Sequence, residues 1–216
     1  MIPPQRPRVL LADDHLLVAE ALKSLLAAEF DLVGVVEDGR ALVEAARTLR
    51  PDVIVADVTM PHLNGIDALI QLRQSGDRVP VVFLTMHRDV SFARRALDAG
   101  ASGFVLKHSA PAELVSAIRA ALEGKTYLTP QLAGEVLESM KQRPAQDGGS
   151  LGSLTPRQRE ILQLVAEGQS AKQIAAMLAL SPRTVEFHKY QAMEVLGLHT
   201  NAELIHFAIQ HGLVER

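Results

Sequence analysis

Apolar residues follow two regimes along this chain, and the change falls near residue 125. Before it, short and nearly continuous apolar runs at 9–12, 32–36, 53–56, 81–84 and 103–106 alternate with stretches at 15–28, 39–49, 65–74, 90–99 and 111–123, where apolar positions recur at helical spacing. A run apolar at every position predicts a strand covered on both faces, and a recurrence of three to four predicts a helix with one buried stripe. Glycine and proline punctuate the joins. Five strands alternating with five helices through right-handed crossovers predict an α/β doubly wound parallel sheet whose site opens at the carboxyl ends of the strands.

After residue 125 the pattern weakens and then turns wholly helical. Residues 127–142 keep helical spacing, whereas RPAQDGGSLGS (143–153) is turn-forming and predicts a flexible tether. Capping boxes follow at Thr155 with Gln158, Ser170 with Gln173 and Thr200 with Glu203, and Ser181-Pro182 supplies an N-cap with proline at the first helical position. Four short helices are therefore expected. The tight connection ALSP joins a helix near 170–178 to the one starting at Ser181, the spacing of a helix-turn-helix whose second helix enters a major groove. The expected organisation is an α/β domain over 1–125, a partly helical then flexible linker over 126–152, and a small all-α domain over 153–216.

Composition narrows the chemistry. Among 216 residues 48% are apolar, 4% are aromatic and none is tryptophan, which suits Leu/Ala/Val-packed helices and parallel strands. The absence of cysteine excludes disulfides, thiolate zinc sites and thiol catalysis. The first residues show no apolar leader and no later stretch is long enough to span a bilayer, so a cytoplasmic protein without membrane contact is expected. Residues 1–125 hold 14 Lys/Arg against 16 Asp/Glu, and residues 151–216 hold 6 against 6. A neutral helical domain must concentrate its few cations, or dimerise, to hold a phosphate backbone.

The polar residues at the predicted strand ends converge on one chemistry. Asp13 and Asp14 end the first strand, Asp57 the third and Thr85 the fourth, and Lys107 follows the fifth. Any one of these aspartates alone is as easily a helix N-cap, and Lys107 alone is usually a solvated lysine. Together they form a pocket that suits Mg²⁺, which takes one or two carboxylates plus phosphoryl oxygens. Asp57 would be a nucleophile forming an aspartyl phosphate, with the metal and Lys107 neutralising the phosphoryl oxygens and Thr85 hydrogen-bonding one of them. Phe104 on its own is a core residue, and Pro61 and Gly65 are ordinary punctuation of a strand-to-helix loop.

LLADDH (10–15), DVTMPHLNG (57–65), LTMH (84–87) and GASGFVLK (100–107) resemble two-component receiver domains over about the first 125 residues. The resemblance implies a flavodoxin-like sheet of order 2-1-3-4-5 and phosphorylation of Asp57 by a sensor histidine kinase. It also implies metal binding by Asp14 and Asp57 directly and by Asp13 through water, and a switch formed by Thr85 and Phe104. The chain departs from the family at His108, where receivers commonly carry proline after the lysine. Thr59 and His87 occupy the positions that tune access of water, and an intermediate phosphate lifetime is expected.

LTPRQREIL (154–162), AEGQSAKQIA (166–175) and SPRTVEFH (181–188) resemble the LuxR-type helix-turn-helix domain of NarL/FixJ response regulators over 153–214. The resemblance places Arg183, Thr184, Glu186, Phe187, Lys189 and Tyr190 at double-stranded DNA, and residues 201–211 at the seam of a homodimer formed on phosphorylation or on DNA. Glu186 suits a cytosine amine and Phe187 a thymine methyl, while Val185, Met193 and Leu196 face inward and His188 packs. Gln191, Glu194 and Val195 replace the basic residues common further along the helix. The unphosphorylated receiver is expected to cover the recognition helix. An aspartyl phosphatase is disfavoured because Thr59 stands where its general acid would be, so the chain is expected to accept a phosphoryl group and at most to lose it slowly. A protein-binding output and a phosphorylation-independent DNA binder stay as alternatives.

Overall fold

The structure, a computed structural model, describes residues 6–86, 90–108, 111–141 and 151–214. His87 and residues 143–150 of the expected tether lie outside them. The order is β1 (Arg8–Ala12), α1 (Leu16–Glu29), β2 (Asp31–Val36), α2 (Gly39–Leu49), β3 (Val53–Asp57), α3 (Gly65–Gln74), β4 (Val81–Thr85), α4 (Val90–Asp98), β5 (Gly103–Leu106), α5 (Pro111–Leu122), β6 (Tyr127–Leu128) and α6 (Pro130–Lys141). A 3-10 turn (Leu151–Ser153), α7 (Pro156–Ala166), α8 (Ala171–Leu178), α9 (Pro182–Leu196) and α10 (Asn201–Gln210) follow.

The sheet is wholly parallel with order β2-β1-β3-β4-β5-β6. Strands β1, β3, β4 and β5 are buried along nearly their whole length, which is why their sequences lack polar alternation. One apolar cluster joins α2, α3, α4 and α6 to one face, with Leu10, Ile54, Phe83 and Phe104 at its centre. The other joins α1 and α5 to the opposite face through Val9, Leu26, Val55 and Ile118.

The sixth strand corrects the expectation of five. Where helical spacing alone was expected from residue 127, Tyr127 and Leu128 pair with β5 before α6 begins. Thr129 seals the junction: its N–H donates to the Phe104 carbonyl at 3.1 Å, and its hydroxyl accepts from Leu106 N–H and donates to Glu113. Pairing satisfies backbone groups that β5 would otherwise leave exposed at an edge. Two residues are too few to carry a periodic signal. Leu132 and Val136 of α6 then bury against α4.

In the helical domain all three capping boxes form, and the Ser181 hydroxyl accepts from Thr184 N–H. The last residues of the expected tether, 151–153, are instead a 3-10 turn, because Leu151 gains burial beside Leu162 and Leu213. Among the described residues no helix is long and apolar enough to cross a membrane.

Helix α7 is buried nearly all round, Gln158 to Leu164 without a break. Its apolar side packs on α8, α9 and α10, and its polar side meets the α/β domain. The receiver-like domain therefore lies against α7 and the end of α8, not over the expected recognition helix, whose Phe187 and Tyr190 stay exposed at 57% and 61%. Polar groups decide this docking: Arg159 and Gln163 each find a buried partner across the contact, and the buried Glu160 meets the half-buried Arg40.

Candidate functional site

The β1, β3, β4 and β5 termini bring the expected residues together. Asp13 follows β1 and is buried, its N–H donating to Val36 and its Oδ1 accepting from His15 N–H at 3.0 Å. Asp57 ends β3 and is buried between β1 and β4. Lys107 forms an ion pair with Asp57, and its Nζ lies 2.8 Å from Asp13 Oδ2. Its backbone N–H donates to the carbonyl of Thr85 at 2.8 Å, which ties the lysine to the end of β4. Among the described residues no peptide bond is cis, so the chain passes from Lys107 to His108 in the ordinary form.

Electrostatics follow from burial. Desolvation pushes the Asp57 carboxyl up to about 6 against the opposing pull of Lys107, and Asp13 pushes it further. Burial works to lower the Lys107 ammonium, but Asp57 and Asp13 outweigh it and hold the group above the ordinary lysine range.

Asp13, Asp14, His15 and Asp57 offer ligand atoms within 4.8 Å of one another. Asp13 Oδ2 and Asp14 Oδ1 are buried without a well-directed hydrogen bond, the first 2.8 Å from Lys107 Nζ and the second 3.0 Å from His15 Nδ1. Three clustered carboxylates, two of them with an unsatisfied oxygen, fit a hard divalent cation such as Mg²⁺. His15 was not among the expected residues, although it directly follows the Asp-Asp pair. Its Nδ1 stands 3.0 Å from Asp14 and 3.9 Å from Asp57.

Thr85 is fully buried, and Phe104 is fully buried opposite Phe83 in the register of β4 with β5. Thr59 is buried two positions beyond Asp57, and its Oγ1 has no hydrogen-bond partner while its N–H donates weakly to Asp57 at 3.4 Å. Gly65 proves more than punctuation. A Cβ there would stand 2.1 Å from the Asp57 carbonyl, so only glycine lets α3 start this close to β3.

The loop from Asp57 to α3 is gripped by the helical domain, and composition gave no sign of it. Gln163 Nε2 donates to the Met60 carbonyl at 2.8 Å, and Gln163 Oε1 accepts from Asn64 N–H at 2.9 Å. Glu167 accepts from His62 N–H at 2.9 Å, where His62 holds the left-handed conformation at φ 64. Arg159 Nε donates to Asp67 at 2.6 Å, and Arg40 binds both Glu160 and the Met177 carbonyl. At the far end Arg95 Nη1 donates to the His211 carbonyl, and the Phe92 ring lies against Gly212. A cavity of about 290 Å³ between Asp14, Thr59, Pro61, Glu167 and Ile209 is thus roofed by the helical domain. The only hint in the sequence was a second, polar face on α7.

On α9 the expected nucleic-acid residues separate into two groups. Arg183, Phe187 and Tyr190 lie on the exposed face, and Val185, Met193 and Leu196 turn inward. Thr184 is half-buried and bonded to Ser181. Lys189, placed at the groove from the sequence, is only 8% exposed, and its Nζ lies 2.6 Å from Glu186 and 4.6 Å from the Tyr190 ring centroid. It lies off the exposed stripe and lines, with Val165 and Val185, a cavity of about 210 Å³. His188 is half-buried with its ring edge-on to Phe187.

Residues 9–119 match the response regulator receiver domain, and residues 152–208 match the bacterial regulatory proteins of the luxR family. The response regulator UvrY of Escherichia coli (strain K12) is 33% identical over 207 residues, covering 95% of this chain and 94% of that protein. The response regulator GacA of Pseudomonas aeruginosa is 33% identical over 210 residues, covering 96% and 98%. The solved complex of the two-component response regulator RcsB with DNA has 28% identity and a TM-score of 0.57, over 96% of this chain and 99% of that one. On the pocket, the helix-turn-helix and these matches over nearly its full length, the chain belongs to the NarL/FixJ family of response regulators, with a receiver domain followed by a LuxR-type DNA-binding domain.

Proposed function

We propose that phosphoryl transfer to Asp57 controls sequence-specific binding of double-stranded DNA by the LuxR-type domain. The observation that carries this reading is the grip of Gln163 on Met60 and Asn64, which makes the loop after the phosphoacceptor part of the contact with the output domain. The donor is a sensor histidine kinase. An Asp57 carboxylate oxygen attacks the phosphorus of its phosphohistidine, the P–O bond forms as the P–N bond breaks, and the imidazole leaves.

Asp14 and Asp57 would hold Mg²⁺ with Asp13 assisting, and the ion when bound supplies charge neutralisation for the phosphoryl oxygens. Lys107, now shared between Asp13 and Asp57, turns to one phosphoryl oxygen, and the Thr85 hydroxyl to another. That movement, with Phe104, supplies the switch. Thr59 offers a hydroxyl where a phosphatase would place a carboxylic acid, so the protein turns over slowly and is a regulator, not a classical enzyme.

The output domain roofs the pocket, so kinase access and docking exclude one another. Docking leaves the α9 face open but holds the end of α10 against α4 through Arg95 and Phe92. Phosphorylation releases α10 for pairing, and a homodimer engages two half-sites. Because α9 is uncovered, the specific competing reading is a DNA binder indifferent to phosphate. Selection from a randomised duplex pool with and without a small phosphodonor and Mg²⁺, beside Asp57→Asn, separates the two. Enrichment of a paired motif that strengthens with phosphodonor only in the wild type supports control, and equal enrichment throughout supports indifference.

A further inference from the structure

We propose that the Phe187–Tyr190 pair binds the C5-methyl groups of pyrimidines in the major groove, so that thymine methyls, not phosphate charge, supply much of the affinity for each half-site. This rests on the reading of α9 as a DNA-reading helix. Phe187 and Tyr190 are separated by one helical turn and are 57% and 61% exposed, the most exposed large apolar groups of α9, where Val185 and Met193 are buried and Val195, 45% exposed, lies near the C-terminal end.

The exposed stripe runs from Arg183 through Phe187 and Tyr190 to Glu194. Its cation sits at the helix N-terminus, where the peptide dipole also favours phosphate, and its carboxylate sits at the far end, where phosphate is repelled. The N-terminal half is therefore the part that enters the groove, and there the side chains facing the bases are aromatic.

The cations of the domain point to the same conclusion. Within the domain Arg157 is bound to Glu160 and Lys189 to Glu186, and Arg159 meets Asp67 only while the domains are docked, which leaves Lys172 and Arg183 as the exposed cations among the described residues. Two exposed cations among the described residues of the domain, or three with Arg159 released, give a shallow salt dependence, with a slope of about −2 to −3 per half-site. The thymine methyl is the apolar group presented in the major groove, and an aromatic face can bury it without desolvating a charge. Glu186, held by Lys189, adds at most one hydrogen-bond acceptor beside the pair.

The experiment uses the full chain and the duplex selected from a randomised pool. Each thymine is replaced in turn by deoxyuridine, which removes the methyl and keeps every hydrogen-bonding group. Replacement at the positions under α9 is expected to weaken binding about fourfold per methyl, equivalent to about 0.8 kcal/mol. Phe187→Ala should bind weakly and respond to that replacement less than twofold, while Tyr190→Phe keeps the response. Binding that is selective yet unchanged by every deoxyuridine replacement overturns the methyl proposal and leaves DNA binding intact. A pool from which no sequence is enriched overturns both, and points to a protein partner for the aromatic face.

Discussion

Gln163 in the first helix of the DNA-binding domain donates to the carbonyl of Met60, three positions beyond Asp57, the proposed phosphoacceptor, at 2.8 Å. The same amide accepts from Asn64 N–H, so one buried side chain spans the loop that follows Asp57. Such a contact is sensitive to small displacements, because a buried amide that loses its partners cannot turn to water.

Gln163→Leu leaves the Met60 carbonyl and the Asn64 N–H unsatisfied in the docked arrangement, a cost of about 1–3 kcal/mol. The unphosphorylated variant is expected to bind its selected duplex roughly tenfold more tightly than the unphosphorylated wild type, with a smaller gain on phosphorylation. A titration in which both proteins bind alike without phosphodonor would show that the clamp does not restrain the output.

Arg159 and Asp67 form a charge pair buried on both sides, with Arg159 also bonded to the Leu154 carbonyl. Arg159→Ala strands the Asp67 carboxylate, which keeps the bond it accepts from Asn64 Nδ2, and costs about 3–5 kcal/mol of docking. Asp67→Asn costs less, since an amide oxygen still accepts from the guanidinium. Limited proteolysis between residues 142 and 150 should cut the first variant faster than the second and the second faster than wild type. Equal rates would refute the ordering.

Asp57 is held at about 6 in the folded protein against an ordinary value of 3.8. A raised carboxyl binds its proton more tightly when folded, so ionisation destabilises the fold progressively from about pH 3.8 upward and fully above about pH 6. The rise corresponds to about 3 kcal/mol. Asp57→Asn, which leaves Lys107 its contact with Asp13, should therefore be more stable than metal-free wild type by about 2–3 kcal/mol at pH 7.5 and by little at pH 4. Urea unfolding at the two pH values measures it, and a gain that does not shrink on acidification contradicts the assignment.

Glu167 carries the other informative carboxyl. Burial raises it above its ordinary 4.5, against the hydrogen bonds from Gln163 and the His62 backbone, with His62 and Asp38 as the ionisable groups facing it. Undocking exposes the group, so docking is favoured below pH 4.5 and that contribution is lost as pH rises through the raised value. Interdomain protection from proteolysis should therefore be greater near pH 5 than at pH 8 in unphosphorylated protein. Glu167→Gln should flatten this dependence.

Much of this protein was determined by sequence alone, for identifiable physical reasons. Strand positions and the end-of-strand residues Asp13, Asp14, Asp57, Thr85 and Lys107 were legible because a parallel sheet covered on both faces needs continuous apolar runs, and each run ends where polar loops begin. Helix starts at Thr155, Ser170, Ser181 and Thr200 were legible because capping is local chemistry between residues three apart. The sixth strand, the inward turn of Lys189 and the docking of α7 were not. β6 owes its existence to the open edge of β5, Lys189 lines a cavity with Val165 of a neighbouring helix, and Gln163 bonds to a carbonyl 103 positions earlier in the chain. Each of these is a non-local pairing of groups whose own neighbourhoods are ordinary, and only tertiary structure decides which polar face is solvated and which is buried against a partner.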